Sequence, residues 1–197
     1  MQLTPEEQEV LGNIRFIQTK RVVSGKIIQS LEAFRREADL LLDDQPATHW
    51  LKSRIRKGPK ISRGENYGGL PYFVLDHPRE FSISTDTLAI RTMVLWGNFY
   101  SFTLHVTGDL RTSIQQQLIQ EKATFEQHYY CINHTPWEYH YESGNYRVLS
   151  ELSNDQLKAD LQSRDFTKLS IYHPLSDLEH LKSRGLAFYQ KIISLNA

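Results

Sequence analysis

Two runs of alternating residues, Thr87 to Trp96 and Phe99 to Thr107, meet at Gly97-Asn98. A period of two sends successive side chains to opposite faces of a strand. A two-residue Gly-Asn corner suits the primed turns that match strand twist. The pair predicts an antiparallel hairpin around which the rest of the chain must fold. With Trp96 opposite Phe99, one face collects Leu95, Tyr100, Met93, Phe102, Leu104, Val106 and Ala89, with Arg91 among them. The other collects Trp96, Phe99, Val94, Ser101, Thr92, Thr103, Ile90 and His105. The first reads as a core face and the second as a hydroxyl-lined face with aromatic ends. A slip of one residue would re-match the two strands.

Other segments supply partners for this hairpin. Pro71 to Asp76 and Thr167 to Tyr172 read as strands, and Trp137 to Leu149 as a second hairpin around Gly144-Asn145. Helices announce themselves by their caps. Thr4-Pro5-Glu6-Glu7 is a capping box with Pro at the first helical position. Ile27, Ile28, Leu31, Phe34, Ala38, Leu41 and Leu42 then repeat at helical spacing to Asp43-Asp44, with Gly25 leaving open one helix or two. Ser153-Asn154-Asp155-Gln156 opens a short helix carrying Leu157 and Leu161, and Ser176-Asp177-Leu178-Glu179 opens the C-terminal one. Leu110 to Ala123 is a further, polar helix. The expected fold is α+β: one domain over residues 1–197, an antiparallel sheet of about five strands with N-terminal and C-terminal helices packed on it.

Charge bounds the partners. Lys+Arg and Asp+Glu are both 23, so no whole-molecule field steers the chain toward nucleic acid or an anionic membrane. No apolar run reaches the length of a membrane span, so none is expected, and the acidic start MQLTPEEQEV, with no apolar h-region after Met1, reads as a helix entry. A single cysteine, Cys131, fits a reducing compartment, so the cytoplasm is the expected location. Lys52, Arg54, Arg56, Lys57, Lys60 and Arg63 form a basic run able to contact phosphates, but neutrality of the whole favours a solvated loop over a nucleic-acid surface.

Two polar residues stand out on the hairpin. Arg91 on an apolar face needs a carboxylate or a path to water, because an unpaired buried guanidinium is too costly. Asp76, Asp86 and Glu65 are the candidate partners. The alternative is an anchor for a carboxylate or phosphate ligand. His105, beside Thr92 and Thr103, is a satisfied core histidine or an acid–base residue. Asn66 and Tyr67, among Gly64, Gly68 and Gly69, form a tight turn or a loop whose amides cradle an anion. Ligand-binding candidates are therefore Asn66, Tyr67, Arg91, Thr92, Trp96, Thr103 and His105.

His128-x2-Cys131-x2-His134, with His140 beyond, has metal-like spacing. Strand alternation would send His128 and Cys131 to opposite faces, so no metal or cofactor is expected. No nucleophile elbow, HExxH, CxxC or kinase signature is present.

The segment ENYGGLPYFVLDHPREF and the later IRTMVLWGNFYSFTLHVTG resemble a family of uncharacterised bacterial proteins seen mainly among Bacteroidetes. The shared pattern is NYxGLPYxxLDxPR and RTxxxWGNFxSxTLH, over about a quarter of the chain. The resemblance implies a domain of unknown function and carries no activity, cofactor or catalytic residue. The sequence reading is a non-catalytic binding or interaction domain for a small polar or anionic ligand or a protein partner. The alternatives are a metal-assisted or acid–base enzyme using His105 or the His128/Cys131/His134 group, and nucleic-acid association through Lys52–Arg63. Homodimerisation through an exposed helix stripe or a free strand edge is open.

Overall fold

The computed structural model describes residues 1–81 and 87–195, without the side chains of Leu161 and Gln162. Asp86, one of the expected Arg91 partners, lies outside the described residues.

The helices are α1 (Pro5–Gly12), α2 (Ile14–Asp43), α3 (Gly108–Gln120), α4 (Asn154–Ser163) and α5 (Leu181–Ile193). The strands are β1 (Lys60–Tyr67), β2 (Leu70–Glu80), β3 (Leu88–Leu95), β4 (Phe99–Thr107), β5 (Tyr129–Cys131), β6 (Tyr146–Val148) and β7 (Phe166–Pro174). Among the described residues they form one antiparallel sheet of seven strands in the order β1-β2-β3-β4-β7-β5-β6. The class is α+β as the patterning implies, but the sheet is larger than the expected five strands. One unforeseen strand is β1. Its residues read as a solvated basic loop because Lys60, Arg63 and Glu65 leave no clean alternation at a sheet edge. The other change lies in residues 137–149, where the expected hairpin does not form: β6 pairs with β5, Cys131 opposite Tyr146, and residues 132–145 connect them without strand structure.

Both predicted capping boxes are present, Thr4 with Glu7 and Ser153 with Gln156. Gly25 does not interrupt α2; the break falls at Asn13, whose side chain accepts from the Phe16 amide. The C-terminal helix starts later than its Ser176 cap suggests, because Leu175–His180 is a 3-10 segment.

Helices α2 to α5 cover one face of the sheet. Ile27, Leu31, Phe34, Ala38 and Leu42 are the buried stripe of α2, at the three-to-four spacing of one helix face. Phe34 meets Phe102 of β4 and Tyr189 of α5 edge-on, with ring centroids 5.8 and 5.4 Å apart. That approach depends on Gly185, where an added Cβ would sit 2.6 Å from Phe34 and 2.8 Å from Phe102.

Candidate functional site beneath the β5–β6 connection

The β3–β4 register differs by one residue from the expected one and re-sorts the hairpin. Val94 faces Tyr100 and Arg91 faces Thr103, so Trp96, Gly97 and Asn98 make up the turn. A two-residue primed turn of the Asn-Gly type needs positive φ at both positions. Here only Gly97 takes it, at 69°, and Asn98 does not. The double-glycine turn is instead at Gly68 and Gly69, with φ of 58° and 83°, joining β1 to β2.

Directly paired residues of antiparallel strands share a face. Leu88, Ile90, Val94, Tyr100, Phe102, Leu104 and Val106 therefore point at the helices, and Thr92, opposite Phe102, goes with them. Arg91, Met93, Ser101, Thr103 and His105 share the other face. Across β4–β7 that face continues with Lys168 opposite His105 and Ser170 opposite Thr103. Asp76 joins it opposite Arg91, and Cys131 and Tyr146 at the far edge. The proposed separation into an oily Arg91 face and a hydroxylated His105 face is thus overturned: both residues lie on the face away from the helices.

The β5–β6 connection folds over this face and encloses a polar layer. Tyr139 packs with Val74, Met93, Leu95 and Phe99. Tyr141 stacks on Tyr146 at 4.9 Å and shares a short hydrogen bond with Ser170 Oγ. Tyr67 Oη accepts from the Tyr139 amide at 2.6 Å, tying the covering segment to the end of β1. Asn145, fully buried, donates to the His140 carbonyl.

Inside the layer the charges are unevenly matched. Arg91 Nε and Nη2 donate to the two Asp76 carboxylate oxygens at 2.7 and 2.9 Å, a two-point ion pair. The Arg91 guanidinium also lies 4.8 Å from the Tyr139 ring centroid. Lys168 has 0% exposure, and among the described residues no carboxylate oxygen lies within ion-pairing distance. Its Nζ donates to the carbonyls of Pro136, at 2.8 Å, and Glu138, and sits 3.8 and 5.1 Å from the Tyr139 and Tyr146 ring centroids. Carbonyls and ring faces favour the ammonium, but burial outweighs them and pushes the Lys168 pKa down to about 7.

Among the described residues His105, 3% exposed, has no hydrogen-bond partner on either ring nitrogen. It is held edge-on by Trp137 and Phe166, at 5.6 and 6.0 Å. Burial, then the neighbouring Lys168 and Arg91 charges, push it down to about 4. Ser101 Oγ and Tyr146 Oη are likewise buried without hydrogen-bond partners among the described residues, whereas Thr103 Oγ1 and Ser170 Oγ bond each other at 2.6 Å. Trp137, 56% exposed, forms the outer wall over His105.

Of the sequence candidates, Arg91, Thr103 and His105 meet in this layer, and Tyr67 anchors its cover. Thr92 is buried on the helix side, and Trp96 packs there from the turn. Asn66 serves the hairpin, its side chain accepting from the Gly69 amide at 3.1 Å. Sequence reasoning missed Lys168, Ser170, Tyr139, Tyr141 and Tyr146. Lys168 alternates with Phe166 and Ser170 against Thr167 and Leu169, a period-two signal that was legible; the tyrosines sit in irregular backbone that carries none.

The metal-like group is dispersed. His128 packs against Phe125 and Phe188 of the helix-side core, Cys131 lies with Tyr146 and Phe166 on the opposite face, and His134 is exposed. Among the described residues no three potential metal ligands converge. The basic run is largely spent locally: Lys52 caps the carbonyls of Asp43 and Gln45, Arg54 that of Trp50, and the Arg56 and Lys57 amides bind Glu80. No helix of the described residues is long and apolar enough to cross a membrane. No protein-family description, curated protein or solved structure matches the chain.

Proposed function

We propose that the protein is a non-catalytic binding domain for a small anionic ligand, a carboxylate or phosphate, taken into the layer between the sheet and residues 132–145. The observation that carries this reading is Lys168: a fully buried amine with carbonyl oxygens around it and, among the described residues, no carboxylate paired with it. An anion is the missing partner that a buried cation calls for. Arg91, already oriented by Asp76, adds a second positive group on the same face. The Ser101 and Tyr146 hydroxyls and the His105 ring supply polar atoms that have no hydrogen-bond partner among the described residues. A cytoplasmic setting goes with this reading, supported by a lone cysteine that is buried and free.

The test is calorimetric titration at pH 8 with inorganic phosphate and short mono- and dicarboxylates, in two buffers of different ionisation enthalpy. An anion beside Lys168 favours the ammonium, so binding is accompanied by uptake of close to one proton. Lys168→Met abolishes both the binding and the uptake. If no anion at millimolar concentration releases heat or raises the unfolding midpoint, the reading fails.

A further inference from the structure

The N-terminal arm presents a surface that the described chain leaves uncovered. No residue of α1 is buried, and the buried stripe of α2 begins only at Ile27. Between them Val10, Leu11, Ile14, Phe16, Ile17 and Val22 are 45–69% exposed. A helix of eight residues is shorter than the ~12–15 needed for even a favourable sequence to hold helical form alone in water. Its capping box adds only about 1 kcal/mol. α1 thus needs a surface to pack on, and the six apolar side chains mark where.

Charge says what that surface is. α1 carries Glu6, Glu7 and Glu9, whereas the start of α2 carries Arg15, Lys20, Arg21 and Lys26. The order acid, apolar, apolar, base is its own complement when two arms run antiparallel. About a twofold axis between Asn13 and Ile14, Glu6 falls opposite Arg21, Glu7 opposite Lys20, Val10 opposite Ile17 and Leu11 opposite Phe16. Beside these residues runs a groove of about 680 Å³ lined by Ile17, Lys20, Arg21, Ser24, Gly25 and Ile28 against β1. Its floor at Ser24-Gly25 is small, with nothing within 4 Å of a Cβ placed at Gly25. Its far wall adds Arg63, and its one acid, Glu65, is held by Lys20 at 2.7 Å. The groove is therefore net basic, and the segment that fits it is acidic.

The area is sufficient. The six exposed side chains leave on the order of 600 Å² of apolar surface per protomer, above the roughly 450 Å² of apolar area on one side of a standard interface.

We infer that α1 and the first half of α2 are a homodimerisation surface, on which α1 of a second copy lies antiparallel along residues 15–22, its acids against Lys20, Arg21 and Arg63. The contact is isologous, so a single substitution strikes it twice.

Sedimentation velocity of the full chain over a range of concentrations tests it. The wild type sediments as a dimer. Leu11→Asp and Ile17→Asp give monomers that unfold as cooperatively as the wild type and lose only the small helical signal of α1, because neither side chain contributes to the core. Glu6→Arg and Arg21→Glu each raise the dissociation constant about tenfold, and the double variant restores it. A wild-type monomer at all concentrations overturns the inference, as does a dimer indifferent to Leu11→Asp and Ile17→Asp, which would implicate another surface such as the β1 edge. A charge swap that fails to restore association overturns the antiparallel register. A monomer that co-sediments with anionic lipid vesicles assigns the arm to membranes and overturns the dimer.

Discussion

Lys168 and His105 lie opposite each other on β7 and β4, two titratable side chains under the same cover and both held toward their neutral forms by burial. Two cations side by side in that layer would each be disfavoured by the other as well as by desolvation. The pair makes the stability of the fold depend on pH in a sense opposite to that of a lysine or histidine whose pKa is raised by a carboxylate.

Between about pH 7 and 10.5 the unfolded chain binds a proton at Lys168 that the folded chain does not, so stability rises with pH across that window. The full span is on the order of 5 kcal/mol. Between about pH 4 and 6.5 His105 acts in the same direction, with on the order of 3 kcal/mol. Urea unfolding at pH 5, 7 and 9 reads both. Lys168→Met flattens the upper interval and His105→Gln reduces the lower one, where His128, also pushed down to about 4, and His77 and His173, likewise lowered by burial, contribute to the remaining slope. A wild type equally stable at pH 7 and 9 would contradict the burial of the amine.

Arg91 and Asp76 form a matched ion pair within the layer, with side chains 22% and 10% exposed. Removing one partner strands the other in a low-dielectric setting. Arg91→Ala is expected to cost about 3 kcal/mol or more, with a smaller loss when Asp76→Asn is added. A double-mutant cycle by urea denaturation measures the coupling; a value under about 1 kcal/mol would mean that the pair is solvated.

Gly185 sits where α5 crosses α2 and the sheet. Alanine there gains up to about 1 kcal/mol of helix propensity. Its Cβ, however, meets the buried Phe34 and Phe102 rings at 2.6 and 2.8 Å, and neither ring has room to retreat. Gly185→Ala is expected to lower stability by a net 1 to 2 kcal/mol, that is, by about the cost of overpacking less the propensity gain. A thermal midpoint at or above the wild type would show that the helices separate freely.

Cys131 is 1% exposed, and burial pushes its thiol upward. Labelling by a thiol reagent at neutral pH should be slow in the native protein and rapid in denaturant. Native labelling as fast as denatured labelling would show that the cover over the polar layer opens readily.

Residues whose local pattern and tertiary role coincide were legible in the sequence. The capping boxes at Thr4 and Ser153, the α2 stripe from Ile27 to Leu42 and the strand character of residues 88–95 and 99–107 all follow from backbone chemistry and periodicity. The need for a carboxylate at Arg91 followed from the cost of burying charge, and Asp76 was among the candidates. The hairpin register did not follow, because a Gly-Asn corner is compatible with two- and three-residue turns. A single-residue difference exchanges which residues of the two strands share a face.

The layer around Lys168 was invisible for a related reason. Its cover, residues 132–145, has no periodicity to read, and its partners come from β2, β3, β4 and β7 at sequence separations that no local pattern spans. Sequence alone determined the helical segments and the strands β2, β3, β4 and β7, whose patterns rest on interactions within a few residues. By contrast, β1, β5 and the irregular course of residues 132–145 were set by pairing across the sheet. The tertiary structure alone decided which face Arg91 and His105 occupy, and that Lys168 is sealed among tyrosines, because burial depends on what the rest of the chain lays over each strand.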